Sequence, residues 1–159
     1  MSDPNLNFST DVTEVVEGLK NSGYASTNGD VVLFGAALGY KLGPLEYSKN
    51  TRLYVRLGVL VRQENFETVA VALMLANRNK YGHEVTADSL SLEKNMAYLA
   101  EMANSGLAHL GKKMKNFNLE ASVLVPELIQ ESLGWGDNPS EETLASLAET
   151  ITFKKKDTK

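Results

Sequence analysis

With 159 residues, 43% of them hydrophobic, the chain has the length and apolar content of one domain that buries its own core. It contains no cysteine, which excludes disulfides and thiolate metal sites, and its two histidines, His83 and His109, do not form the HExxH arrangement of a helical zinc site. The net charge of −4 is unevenly spread: residues 31–115 hold eleven Lys and Arg against seven acids, whereas residues 116–153 hold seven acids and no base.

The opening Met1-Ser2-Asp3-Pro4-Asn5 has neither the basic nor the apolar region of a signal peptide. The longest apolar stretch, Val31 to Tyr40, is half the roughly 20 residues a membrane span requires. A cytoplasmic protein with no membrane association is the expectation. The first helix is expected from Ser9 or Thr10, with Val12, Val15, Val16 and Leu19 on one stripe and Gly23 as its stop. The next segment, Asp30 to Gly43, is apolar on nearly all sides and closed by Gly43-Pro44, which predicts a buried central helix capped by Asp30. Gly35 and Gly39 are four apart within it. Each costs roughly 1 kcal/mol of helix propensity relative to Ala, so their presence predicts a tight approach by another element on that face.

Residues 52–62 fit two patterns. Leu53, Val55, Leu57, Val59 and Val61 alternate as in a half-buried strand, and the helical alternative groups Arg52 and Arg56 four apart. No partner strand is evident, and an isolated strand is unstable, so a helix or short extended segment packed on the bundle is expected. Asn65 can cap a helix carrying Phe66, Val69, Ala70, Leu73 and Met74. A longer helix follows, with Leu92, Met96, Leu99, Ala103, Leu107, Leu110 and Met114 at helical spacing, Asn104-Ser105-Gly106 as a weak point, and Lys112, Lys113 and Lys115 suiting its carboxyl end. Pro126 suits the first turn of a helix ended by Gly134, and Trp135 reads as a packing anchor in the link that follows. Asn138-Pro139-Ser140-Glu141 opens a last helix with Leu144, Leu147, Ala148 and Ile151 inside.

These elements predict a mainly α fold: a compact bundle of about six helices around a buried central one, with at most one short extended segment. Residues 1–153 form one helical domain, in which 116–153 are acidic, and 154–159 form a flexible basic tail. Catalytic signatures do not emerge. There is no GxSxG elbow or phosphate-binding GxxxxGK[ST] loop, His109 reads as structural, and Glu127 and Glu131 share an acidic outer face. No enzyme activity, cofactor or metal is expected. The basic section supplies the binding hypothesis: Lys41, Lys49, Arg52, Arg56 and Arg62, with Tyr40, Tyr47 and Tyr54 interleaved, can meet phosphates and stack on bases.

The run Asp30-Val31-Val32-Leu33-Phe34-Gly35-Ala36-Ala37-Leu38-Gly39-Tyr40 resembles the "D-x-x-L-F-x-A-A-L-G-[FY]" signature of small proteins encoded beside bacterial DNA phosphorothioation (Dnd) modification and restriction genes. An apolar helix at Phe66 to Ala76 and the stretch Ala103-Asn104-Ser105-Gly106-Leu107, like the group's "A-N-x-G-L", complete the resemblance over residues 30–110. It implies an accessory component of a bacterial anti-phage defence locus and carries over no catalytic residue. The partner would be another protein of that system, or DNA. The alternative expectation is a phage- or plasmid-encoded inhibitor whose acidic carboxyl-terminal helices occupy a basic partner.

Overall fold

The computed structural model describes residues 3–133, and the side chains of residues 3–129. Alternation of Leu6 and Phe8 with Asn5 and Asn7 sends the first pair inward and the second outward, giving strand β1 over Asn5–Ser9. Ser9 then accepts a hydrogen bond from the Asp11 amide and starts a 3-10 turn, Thr10–Val12, which leads into α1, Thr13–Asn21. Ser9 therefore caps the helical run as its sequence signal indicates, with Thr10–Val12 as a 3-10 first turn ahead of the α-helix.

The partner of that strand is β2, Thr51–Arg56, antiparallel to it with Leu6 opposite Val55 and Phe8 opposite Leu53. This settles the ambiguous segment: 51–56 is extended, and a short helix α3, Leu57–Leu60, follows. The missing partner strand lies at the amino end of the chain. Between Phe8 and Ser9 the register shifts so that Ser9 faces Thr51, which leaves Arg52 as an extra residue in a β-bulge.

Helix α2, Asn28–Leu42, is the expected central helix, and Val31, Val32, Ala36 and Leu38 are buried on it. Thr27 rather than Asp30 is its cap. Thr27 Oγ1 accepts from the Asp30 amide while the Asp30 carboxylate accepts from the Thr27 amide, a reciprocal capping box that satisfies two otherwise orphaned donors. Gly43, at φ 90°, ends it. Helix α4, Phe66–Lys80, buries Phe66, Ala70 and Met74 and leaves Val69 exposed. Asn65 precedes it in a left-handed conformation without a side-chain cap. Leu92 is buried but lies before the long helix, α5, which runs from Met96 to Phe117.

Helices α2 and α5 cross backbone to backbone. A methyl group built on Gly35 would lie 2.7 Å from the Ala103 carbonyl oxygen, and one on Gly39 would fall on the Met102 carbonyl oxygen. From the other side, a methyl group on Gly106 would fall on the Gly35 carbonyl oxygen and 2.6 Å from the Gly39 nitrogen. The tight face expected at Gly35 and Gly39 is thus present. The supposed weak point Asn104-Ser105-Gly106 is instead buried, uninterrupted helix, and its glycine makes the crossing possible.

Helix α6, Ala121–Leu133, packs on α1 and α5 and carries Pro126 inside it rather than in its first turn. The proline leaves the Ser122 carbonyl without its helical donor. The Tyr24 hydroxyl donates to that carbonyl at 3.3 Å. A single hydrophobic cluster runs from Leu6 through Val31, Phe66 and Leu107 to Leu128. The described residues thus form a mainly α fold of six helices with one two-stranded sheet. Glu131, the Trp135 link, the helix expected from Asn138 and the tail at 154–159 lie outside the side chains or residues described.

Gly106→Ala should lose at least about 3 kcal/mol in urea unfolding, because rigid backbone on α2 cannot yield to the added methyl. Gly18→Ala on α1, where the methyl would meet only Ala121 and Met114 side chains at 3.8 and 3.9 Å, should instead gain up to about 1 kcal/mol from helix propensity.

Candidate functional site

The chain presents two neighbouring surfaces, an exposed two-stranded ribbon and a ring-lined cleft, both positioned by α5. Asn104 fixes the ribbon. Its side-chain Oδ1 accepts from the Ser9 amide at 2.8 Å, and its Nδ2 donates to the Asn7 carbonyl at 2.9 Å and to the Ala100 carbonyl at 2.8 Å. One buried amide thereby stands in for the missing neighbour strand on the open edge of β1, where unpaired backbone groups would otherwise be costly. The far ends are tied by Leu57 N to the Pro4 carbonyl, Gly58 N to the Asp3 carboxylate and Thr10 N to the Asn50 carbonyl, all at 2.9 Å.

On the outer face of the ribbon Tyr54 stands opposite Asn7 and Arg56 opposite Asn5, with Arg52 exposed at the bulge. The arginines are four residues apart, about 13 Å along an extended chain. Lys49 lies just before β2 with its ammonium 4.3 Å from the centre of the Tyr47 ring. Burial raises the Tyr47 phenol above its ordinary pKa, and Glu101 adds to the rise while Lys49 opposes it. All five cations singled out in the sequence, Lys41, Lys49, Arg52, Arg56 and Arg62, are exposed, and among the described residues none has a carboxylate within ion-pair distance.

The fold does not gather all five. Lys49, Arg52 and Arg56 share the ribbon. Arg62 sits beside the amino end of α2, where its neighbour Gln63 bonds Thr27 and Asp30, while Lys41 is at the carboxyl end of the same helix, about 20 Å along its axis. Sequence spacing could not separate these residues, because the loop and sheet that divide them depend on β1.

The cleft escaped the sequence reading. It measures about 280 Å³ and lies where the carboxyl ends of α2 and α4 meet the amino half of α5, lined by Gly39, Pro44, Asn77, Tyr81, His83, Tyr98, Glu101, Met102 and Ser105. Asn77 Nδ2 donates to the Tyr98 hydroxyl at 2.7 Å, and the Arg78 guanidinium covers a face of the Tyr98 ring at 4.3 Å while bonding Asn95. Tyr81 and His83 stand 6.1 Å apart, centre to centre, tilted by 32°. The Lys80 ammonium holds the Tyr40 carbonyl and lies 5.1 Å and 5.5 Å from the centres of the Tyr40 and Tyr81 rings. A second hollow of about 260 Å³, lined by Asn5, Asn7, Tyr47, Lys49 and Thr51 among others, adjoins the ribbon, and Glu101 lines both hollows. His109 lies apart from these surfaces in role: its Nε2 is 2.9 Å from the Gly43 carbonyl, a bond that helps hold the end of α2.

A model of the family described as DNA sulphur modification system-associated protein 4 matches residues 6–147. The chain belongs to that family. The match extends well past the 30–110 read from the motifs and takes in α1, α6 and all of the ribbon but Asn5. The family's description is that of an accessory of a DNA sulphur modification system. No curated protein and no solved structure matches the chain. Among the described residues no helix is long and apolar enough to cross a membrane, and no group of three or more His, Asp or Glu is placed to hold a metal ion.

Asn104→Leu should lower stability by about 3 kcal/mol in urea unfolding, since it buries the Ser9 amide and Asn7 carbonyl unpaired. Amide hydrogen exchange at Ser9 should accelerate in the same variant by more than the global loss explains if the ribbon edge opens locally.

Proposed function

We propose that the protein is a non-catalytic adaptor of a DNA sulphur modification system, and that it meets the phosphate backbone of DNA through the ribbon bearing Lys49, Arg52 and Arg56. The observation that carries this reading is the exposure of both arginines, neither with a carboxylate within ion-pair distance among the described residues, on a face whose other strand residues are Asn5, Asn7 and Tyr54. Asparagine and tyrosine add hydrogen bonds to phosphate and sugar, and arginine supplies the bidentate charge. In a protein of net charge −4 such contact is local and strongly salt-dependent. Family membership supports a place among the system's own components over the alternative of an inhibitor acting through acidic helices. His109, engaged by the Gly43 carbonyl, is committed to structure, which supports the non-catalytic reading.

A protein partner is the second reading, favoured by a separate observation. Val59, Val61 and Val69 are 55%, 43% and 40% exposed on α3, the turn after it and α4, close in sequence to the exposed Arg62. Apolar side chains of this size beside a cation suit the core and rim of an interface with another component of the system.

The double variant Arg52→Glu, Arg56→Glu separates the two readings. DNA affinity should fall, and the slope of log K against log salt should shrink by about 2, the number of phosphate contacts removed. Partner co-purification from the native host should survive. If the folded variant keeps both DNA retention and partner co-purification unchanged, the ribbon is not the contact surface.

A further inference from the structure

We infer that the ring-lined cleft between α4 and α5 is a binding site for an unpaired nucleobase that carries an exocyclic amine. The inference rests on the nucleic-acid reading of the ribbon and extends it from backbone contact to base contact. Three observations point to this ligand.

The first is the wall. Tyr81 is 42% exposed and forms the rim with His83, and neither ring is needed to fill the core. Exposed rings that flank a concave site offer flat faces for stacking, which every base can use. The second is the hydrogen-bonding inventory. Tyr98 accepts from Asn77, so its own hydroxyl proton is left to donate. Among the described residues Asn77 Oδ1 has no hydrogen-bond partner and the Glu101 carboxylate has no ion pair. One donor beside two acceptors complements a base edge with a ring nitrogen next to an amino group, as in adenine, cytosine and guanine. Unpaired thymine offers a single ring N–H between two carbonyl oxygens, so it can satisfy one of the two acceptors and leaves the other unpaired, whereas an amine has a hydrogen for each.

The third is position. Glu101 lines both hollows, and the second holds Lys49 and borders the ribbon. A base in the ring-lined cleft would have its sugar and phosphate directed past Glu101 toward Lys49, which precedes the ribbon strand that carries Arg52. Lys80, held over the Tyr40 and Tyr81 rings, supplies charge on the opposite rim. The cleft volume of about 280 Å³ is large enough to receive a single base.

The test uses the full-length protein with deoxynucleoside 5′-monophosphates, single-stranded oligonucleotides of one base, and the matching duplexes. Oligonucleotides of adenine, cytosine or guanine should bind more tightly than oligo-thymidine. Tyr81→Ala, a change at an exposed ring, should weaken them about tenfold. Glu101→Gln should narrow the preference over thymine without lowering thymine binding. A monophosphate that binds as tightly as its oligonucleotide identifies a free nucleotide as the occupant, whereas tighter binding of the strand identifies an unpaired base within DNA; both support the site. Equal affinity for all four bases that Tyr81→Ala leaves unchanged, while Arg52→Glu, Arg56→Glu abolishes it, would overturn the cleft and leave the ribbon standing. Failure of every nucleotide and oligonucleotide to bind would overturn both.

Discussion

The architecture depends on one close contact, the crossing of α2 over α5 at Gly35, Gly39 and Gly106. Because no side chain separates the two backbones there, α5 lies deep enough to serve three directions at once. Ala103 and Gly106 face α2. Asn104, between them, reaches the edge of β1 and holds the ribbon. Tyr98, Glu101, Met102 and Ser105 turn toward the cleft, whose floor includes Gly39 of the partner helix. Both proposed contact surfaces are therefore consequences of one packing event rather than separate features. A change that pushes the helices apart would disturb ribbon and cleft together.

The same contact explains what the sequence disclosed and what it concealed. The central helix was legible because an apolar run between Thr27 and Gly43 has few alternatives, and the demand for tight packing at Gly35 and Gly39 followed from their cost in a helix. The complementary glycine was misread. Asn104, Ser105 and Gly106 have poor helix propensity, so local rules mark them as a weak point, yet each is paid for by a tertiary partner: the β1 edge, the loop carbonyl of Leu45 and the α2 backbone. Pro126 repeats the lesson, since the carbonyl it orphans is met by Tyr24 from another part of the chain.

The strand at Asn5–Ser9 was hidden for a different reason. It is five residues long, its last residue doubles as a helix-start signal, and its partner lies more than forty residues away. Without it, residues 52–62 had no sheet to join, and the grouping of their cations could only be judged by spacing. Exposure of all five was legible from their charge. Which of them share a surface was not, because the division between Lys49, Arg52 and Arg56 on one side and Lys41 and Arg62 on the other is set by the antiparallel pairing. The cleft draws residues from α2, α4 and α5 and has no local pattern at all.

Proton–proton contacts in solution test the crossing most directly. In a NOESY spectrum of labelled protein, an α-proton of Gly106 should show a strong cross-peak to the Gly39 amide proton, because a methyl group in that proton's place would sit 2.6 Å from the Gly39 nitrogen. A folded protein whose Gly106 α-protons contact only side chains, with no peak to the α2 backbone, would contradict the account.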